Sequence, residues 1–241
     1  MSSTAHEQRV LAGVTREVDR MFASIAELAE AATALLAVGA VSRPELAALH
    51  ALMGQILRRH EGFAAGAGVV LAPDVLTDAP RCIEWLWADR DAGLQRLEVD
   101  LEPESVEFYD YTAAEWYRGP ELTRKLSIAG PYVDYICTHK YTYTLSVPLV
   151  CNGQFAGIAG ADILAEQVER AVVPALMRLT GVAVLTSSNG RIIASNTARF
   201  RPGTVLGRQE AIRDLRPPSE ASAQVSLPWT LHEGPAPSLG R

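Results

Sequence analysis

The chain has 241 residues, 48% hydrophobic and 21% charged, which is enough to bury a core and too apolar for a disordered tail. Twenty-two Lys and Arg stand against 28 Asp and Glu, and that surplus of acids argues against a broad basic face, so no direct nucleic-acid binding and no membrane partner is expected. The longest uncharged apolar stretch near the N-terminus, Ala31 to Ser42, is twelve residues long, short of the roughly 20 that a bilayer requires. With no apolar block leading to a cleavage site, the chain is read as a cytoplasmic protein. Cys82, Cys137 and Cys151 are odd in number and widely spaced, which fits reduced, mostly buried thiols rather than a disulfide framework or zinc knuckle, and no cofactor or metal is expected.

From about Glu7 to Val38 the residues Val10, Val14, Val18, Met21, Phe22, Ile25 and Leu28 recur at three- and four-residue intervals, the period of a helix with one buried stripe. Gly39 ends it, and Ser42-Arg43-Pro44-Glu45 has the serine, early proline and following glutamate of a new helix start, predicted to run to about His60. Beyond Gly62 the period shortens: Gly66–Leu71 and Cys82–Trp87 read as strands. Tyr141–Val150 alternates, and Asn152-Gly153 turns it into Gln154–Asp162, the strongest hairpin signal in the chain. A helix is predicted from about Leu164 to Arg178, interrupted at Pro174, and a second hairpin over Val182–Thr186 and Arg191–Ser195. From Pro217 onward, five prolines in 25 residues predict little regular structure, apart from a short strand near Val225.

All seven tyrosines and nine of the sixteen aromatic residues fall between Phe108 and Tyr143, interleaved with acids such as Glu107, Asp110, Glu115 and Asp134. Packing under a long loop would account for any one of them. As a set, hydroxyl-bearing aromatics mixed with carboxylates are what a pocket for an organic cation requires. No G-x-S-x-G, phosphate loop, H-E-x-x-H or kinase signature occurs, so an enzyme acting on an amine is the weaker alternative.

Tyr109, Trp116-Tyr117, Gly130-Pro131-Tyr132-Val133-Asp134, Thr144–Leu149 and Phe155–Ile163 together resemble the pattern of Cache sensor domains, PAS-like ligand-binding modules usually found as the extracellular part of bacterial chemoreceptors and sensor kinases. The resemblance runs over about 55 residues, Tyr109 to Ile163. It implies an α+β fold with a PAS-like antiparallel sheet and a long N-terminal helical arm. In the amino-acid-binding members of that family, an arginine two residues before the tryptophan clamps the ligand carboxylate and two aspartates take its ammonium. Tyr109, Trp116, Tyr117, Tyr132, Asp134 and Asp162 match that set, but the arginine position is Ala114. The guanidinium fork is lost while both acids remain, which favours an amine over an amino acid unless Arg118 or His139 supplies the missing charge. Asp162, at a strand end before a helix, also fits an N-cap.

The expected organisation is a helical arm over 1–61, a Cache-like ligand-binding domain over 62–180, a C-terminal hairpin over 181–216 that resembles the start of a second such module, and a Pro-rich tail over 217–241. The expected function is a cytoplasmic sensor of a small organic cation, either an amine or a quaternary ammonium compound, with an amino acid as the alternative ligand. With no anchor or effector segment recognised, output is expected through a partner such as a separately encoded regulator. The long apolar stripe of the arm predicts a homodimer built on it.

Overall fold

In the computed structural model, residues 3–89, 93–136, 139–206 and 229–234 are described, with only the backbone for 3–10. Cys137, Val10's side chain and the strand expected near Val225 lie outside them. The chain divides into two compact units: Arg20–Leu164, and the described parts of Met1–Asp19 with Ala165–Arg241.

Helix α1 (Ser3–Ala37) runs through the predicted arm. Its stripe is spent within the chain: Val14, Val18, Met21, Ile25 and Leu28 are all buried. The observation that suggested a dimer on this stripe is thereby removed. At the second helix start, the Glu45 carboxylate accepts hydrogen bonds from both the Ser42 backbone N–H (2.8 Å) and its hydroxyl (2.7 Å). The turn that follows, Arg43–Leu49, is a 3-10 helix, and the α-helix α2 begins only at His50 and ends at Arg59.

The first unit is organised by a six-stranded antiparallel sheet of β1 (Ala64–Leu71), β2 (Cys82–Asp89), β3 (Gly93–Arg96), β4 (Ser127–Val133), β5 (Tyr141–Cys151) and β6 (Gln154–Leu164). The spatial order is β3-β2-β1-β6-β5-β4. Asn152 and Gly153 both have positive φ (52° and 76°), as a two-residue turn between twisted strands demands.

Alternation along the strands gives the sheet two unlike faces. On one, Glu84 is buried and held by Arg96 through two hydrogen bonds (2.8 and 2.7 Å) and by His50 of α2 at 2.5 Å, which ties that helix to β2 and β3. On the other, Val70, Ile83, Trp85 and Ile158 join Tyr111, Trp116 and Tyr117 in a single apolar cluster. Trp116 and Tyr117 come from α3 (Glu115–Thr123), a nine-residue helix that the sequence reading leaves unassigned because Gly119-Pro120 sits inside it.

In the second unit, α4 (Ala165–Leu176) follows β6, and β7 (Val182–Ser187) forms the centre of a three-stranded antiparallel sheet with β8 (Ile192–Ser195) and β9 (Trp229–Gly234). The tail was expected to be largely irregular, but its segment Trp229–Gly234 pairs along the whole of β7. Asn196 pins the α4–β7 connection: its Oδ1 accepts from the Ala183 N–H (2.8 Å) and its Nδ2 donates to the carbonyls of Leu176 (3.2 Å) and Gly181 (2.8 Å).

Candidate functional site

The aromatic face of the six-stranded sheet carries a half-open pocket, with about 420 Å³ of space once its open mouth is counted. Its walls are Val70, Ile83, Trp85, Leu97, Tyr109, Trp116, Tyr132, Asp134, Ile136, Thr144 and Asp162. Five of the six expected site residues are therefore brought together from four separate segments. Tyr117 is the exception. Adjacent residues on a helix point about 100° apart, so with Trp116 turned to the pocket Tyr117 goes into the core, edge-on to Tyr111 (5.3 Å between centroids) and Phe155 (5.4 Å).

The floor depends on missing side chains. Trp85 lies across β1 and β6 at Gly66, Gly68 and Gly160. A Cβ at Gly66 would come within 2.4 Å of the indole Nε1, one at Gly68 within 2.7 Å of Cε3, and one at Gly160 within 3.2 Å of the far ring edge. The glycines of these strands thus make room for an indole ring lying against the sheet.

Tyr132 reaches the pocket because of a bulge. The register of β4 against β5 slips by one residue between Ala129 and Tyr132, where Gly130 has φ 118° and a Cβ would meet the Thr142 carbonyl at 2.6 Å. The extra residue keeps Ala129 and Tyr132 on the same face. The turn after β4 is closed by the Asp134 N–H donating to the Lys140 carbonyl (3.0 Å), and the Asp134 carboxylate accepts from the Ile136 N–H (3.1 Å).

At the centre, the Thr144 hydroxyl donates to Asp162 Oδ1 (2.6 Å), which leaves the Thr144 oxygen to accept from the Tyr132 hydroxyl at 2.5 Å. Asp162 is 8% exposed and Asp134 9%. Burial pushes the Asp162 carboxyl up to about 7, with the neighbouring Asp134 adding to the rise and Thr144 opposing it. Burial pushes the Tyr109 phenol up to about 12, reinforced by Asp134 and Asp162, and raises Tyr132 well beyond its ordinary value. Asp162 belongs to β6 and its carboxylate bonds across the sheet to Thr144, so the side chain is used in the pocket. Arg118 and His139 are exposed and do not line the cavity, and among its described lining residues there is no Lys, Arg or His.

Residues 50–170 match the family model described as the first PDC sensor domain of methyl-accepting chemotaxis protein-like receptors, and that segment is half of the chain. The chain belongs to this family of sensor domains. PDC domains are Cache-type modules, so the resemblance read from the aromatic motifs holds, as does the PAS-like α+β fold. Over 85 residues the PDC sensor chain is 29% identical to the methyl-accepting chemotaxis protein PscA of Pseudomonas syringae pv. tomato, covering 35% of the chain and 13% of that relative's length.

The fold is shared with solved structures, of which three serve as examples. The ligand-binding domain of Campylobacter jejuni chemoreceptor Tlp3 with L-norvaline aligns with a TM-score of 0.64 at 13% identity, covering 97% of this chain and 88% of that one. The ligand-binding domain of Pseudomonas fluorescens CtaA with L-alanine gives 0.59 at 16%, covering 96% and 94%. The extracellular domain of the histidine kinase mmHK1S-Z3 gives 0.54 at 20%, covering 79% and 70%.

These placements overturn the expectation of a cytoplasmic protein, because the family is that of chemoreceptor sensor domains and a structure of the same fold is an extracellular domain. Among the described residues no helix is long and apolar enough to cross a membrane. That observation, like the acidic composition, carries no information about the compartment.

Six of the lining residues were missed by sequence reasoning: the aliphatic Val70, Ile83, Leu97 and Ile136, and also Trp85 and Thr144, which bring a ring face and a hydroxyl. Trp85 stands in an alternating strand beside Glu84, a pattern that marks two faces without saying which one is the pocket.

Proposed function

We propose that the pocket binds a small organic cation, a protonated amine or a quaternary ammonium compound, and that the chain is the extracytoplasmic ligand-binding region of a receptor whose output passes through a signalling partner. The observation that carries this reading is the pairing of two buried carboxylates, Asp134 and Asp162, with four aromatic walls and no basic side chain among the described lining residues. Trp85, Trp116, Tyr109 and Tyr132 supply ring faces to a cation, and the acids supply the counter-charge. Tyr117 supports Trp116 from the core. The second unit, with its three-stranded sheet, is proposed as a reduced second sensor module. A homodimer would have to use a surface other than the buried stripe of α1.

A thermal-shift screen over amines, quaternary ammonium compounds, amino acids and simple carboxylates tests the reading. At a hundredfold excess over Kd a bound cation adds about 2.7 kcal/mol. Asp134→Asn and Asp162→Ala are each expected to weaken binding by on the order of 2 kcal/mol, while Glu115→Gln, exposed on α3, has little effect. Stabilisation by a carboxylate but not by the corresponding amine would sink the proposal. An amino-acid ligand is the second reading, favoured by the L-norvaline and L-alanine complexes of the structures sharing the fold. Alanine binding more tightly than ethylamine would establish it. Recovery of the tightest ligand unchanged after long incubation separates a sensor from an enzyme.

A further inference from the structure

The pocket holds a carboxyl group whose described surroundings give its ionised form little support. Asp162 projects from the pocket face of β6, and among the described residues the one hydrogen bond donated to it comes from Thr144. Thr144 is in turn hydrogen-bonded to Tyr132, so that with Asp162 ionised both hydroxyl protons of this relay turn toward it. A buried carboxylate is held in its charged form by two or three donors or by a nearby cation. The other titratable groups among its described lining residues are Tyr132 from β4, Asp134 from the turn after it and Tyr109 from the loop before α3, and none of them brings positive charge. The remaining walls are indole rings, aliphatic side chains and the Thr144 hydroxyl.

Given the cation-binding reading, we infer that an organic cation entering this pocket takes the place of a proton on Asp162, so that binding releases one proton to solvent and strengthens as pH rises through neutrality. The balance is simple. The Asp162 carboxylic acid gives its proton to water as the cation arrives, a neutral acid becomes a neutral ion pair, and no bond to carbon or nitrogen changes. The rise of the Asp162 carboxyl to about 7 puts this exchange within the range of ordinary environmental pH. A receptor with such a site reports cation and acidity together: in an acidified medium the proton occupies Asp162 and the same cation concentration gives a weaker response.

Choline is the cleanest probe, because its charge is fixed at every pH and any pH dependence belongs to the protein; ethanolamine, charged throughout the same range, serves as the second. Isothermal titration from pH 5.5 to 8.5 is expected to show Kd tightening about tenfold per pH unit below roughly 7 and levelling off above 8. In two buffers of different protonation heat at pH 6, the measured enthalpies are expected to differ by about one proton's worth. Asp162→Asn, which keeps the shape and an acceptor for Thr144, should bind weakly and without the slope. A pH-independent Kd for the wild-type protein, or an unchanged slope in Asp162→Asn, overturns the exchange and leaves the cation reading intact. Failure of both probes and of every other amine to bind at any pH overturns the cation reading itself. Carboxyl carbon NMR of the free protein is independent of ligand: an Asp162 titration near neutrality supports the inference, and one in the ordinary carboxylate range refutes it.

Discussion

Two buried acids on this sheet have opposite consequences for stability. Burial pushes Glu84 up, but the hydrogen bonds from Arg96 and His50 outweigh it and hold the carboxyl below its usual value. Its contribution is present above the unfolded value and is lost as pH falls through the folded one. Asp162 is raised, so between about 4 and 7 the unfolded chain ionises this group while the folded chain must hold its proton, and stability falls as pH climbs through that window. We expect Asp162→Asn to melt progressively higher than the wild-type protein, without ligand, as pH rises from 5 to 7.5, with the gap constant above that; thermal denaturation across that series checks it. Arg96→Ala leaves Glu84 with His50 alone, and a loss of about 2 kcal/mol is expected at pH 7 by chemical denaturation, below the usual cost of breaking a buried pair because Arg96 is half exposed. The chemistry at this scale was partly legible. Asp134, Asp162 and the tyrosines stood out by type and order, while Tyr117 was misplaced because a Trp-Tyr pair in sequence is not a pair on a helix surface.

Among the elements, β5 and β6 were the clearest in the sequence, because strict alternation and an Asn-Gly turn leave little choice of structure. Helix α3 was hidden by its internal Gly119-Pro120, and β9 by flanking prolines and by a pairing partner more than forty residues away in the chain. The bulge in β4 was also invisible, since it brings Gly130 against the carbonyl of Thr142 on the neighbouring strand, a contact that only the folded sheet makes. Glycine in a strand marks a point of close approach, but spacing alone does not show it as the bed of an indole. Gly68→Ala tests that role: its Cβ would meet the Glu84 carbonyl at 2.3 Å and the Trp85 ring at 2.7 Å. A cost of about 1–3 kcal/mol is expected from such overpacking, with loss of choline binding exceeding that of a variant equally destabilised on α2. Equal choline affinity in both variants would mean that the indole's position is irrelevant to the pocket.

For the whole molecule, composition gave a folded chain and the family resemblance an α+β fold, but composition and hydropathy misjudged the compartment, because acidic, span-free sequences occur on both sides of a membrane. The two-unit division was not legible either: α1 contributes to both units, and a helix period carries no mark of where one core stops and another starts. Asn196→Ala, which removes three hydrogen bonds from the α4–β7 connection, is expected to lower stability by about 1–3 kcal/mol. Choline affinity should stay within about twofold, since every described wall of the pocket belongs to the first unit. A larger change in Kd would show that the second unit shapes the site.

Strand β2 carries Trp85 toward the pocket and Glu84 toward α2, with Arg96 on the neighbouring β3 fastened to that acid. Because side chains alternate at a period of two, moving the strand by one residue would deliver the acid to the aromatic face and the indole to the helix. Both errors are costly, so the strand is locked along its own axis. Any movement of β2 is then a tilt or a rotation of its side chains: the sheet can lean, but it cannot slide by one residue.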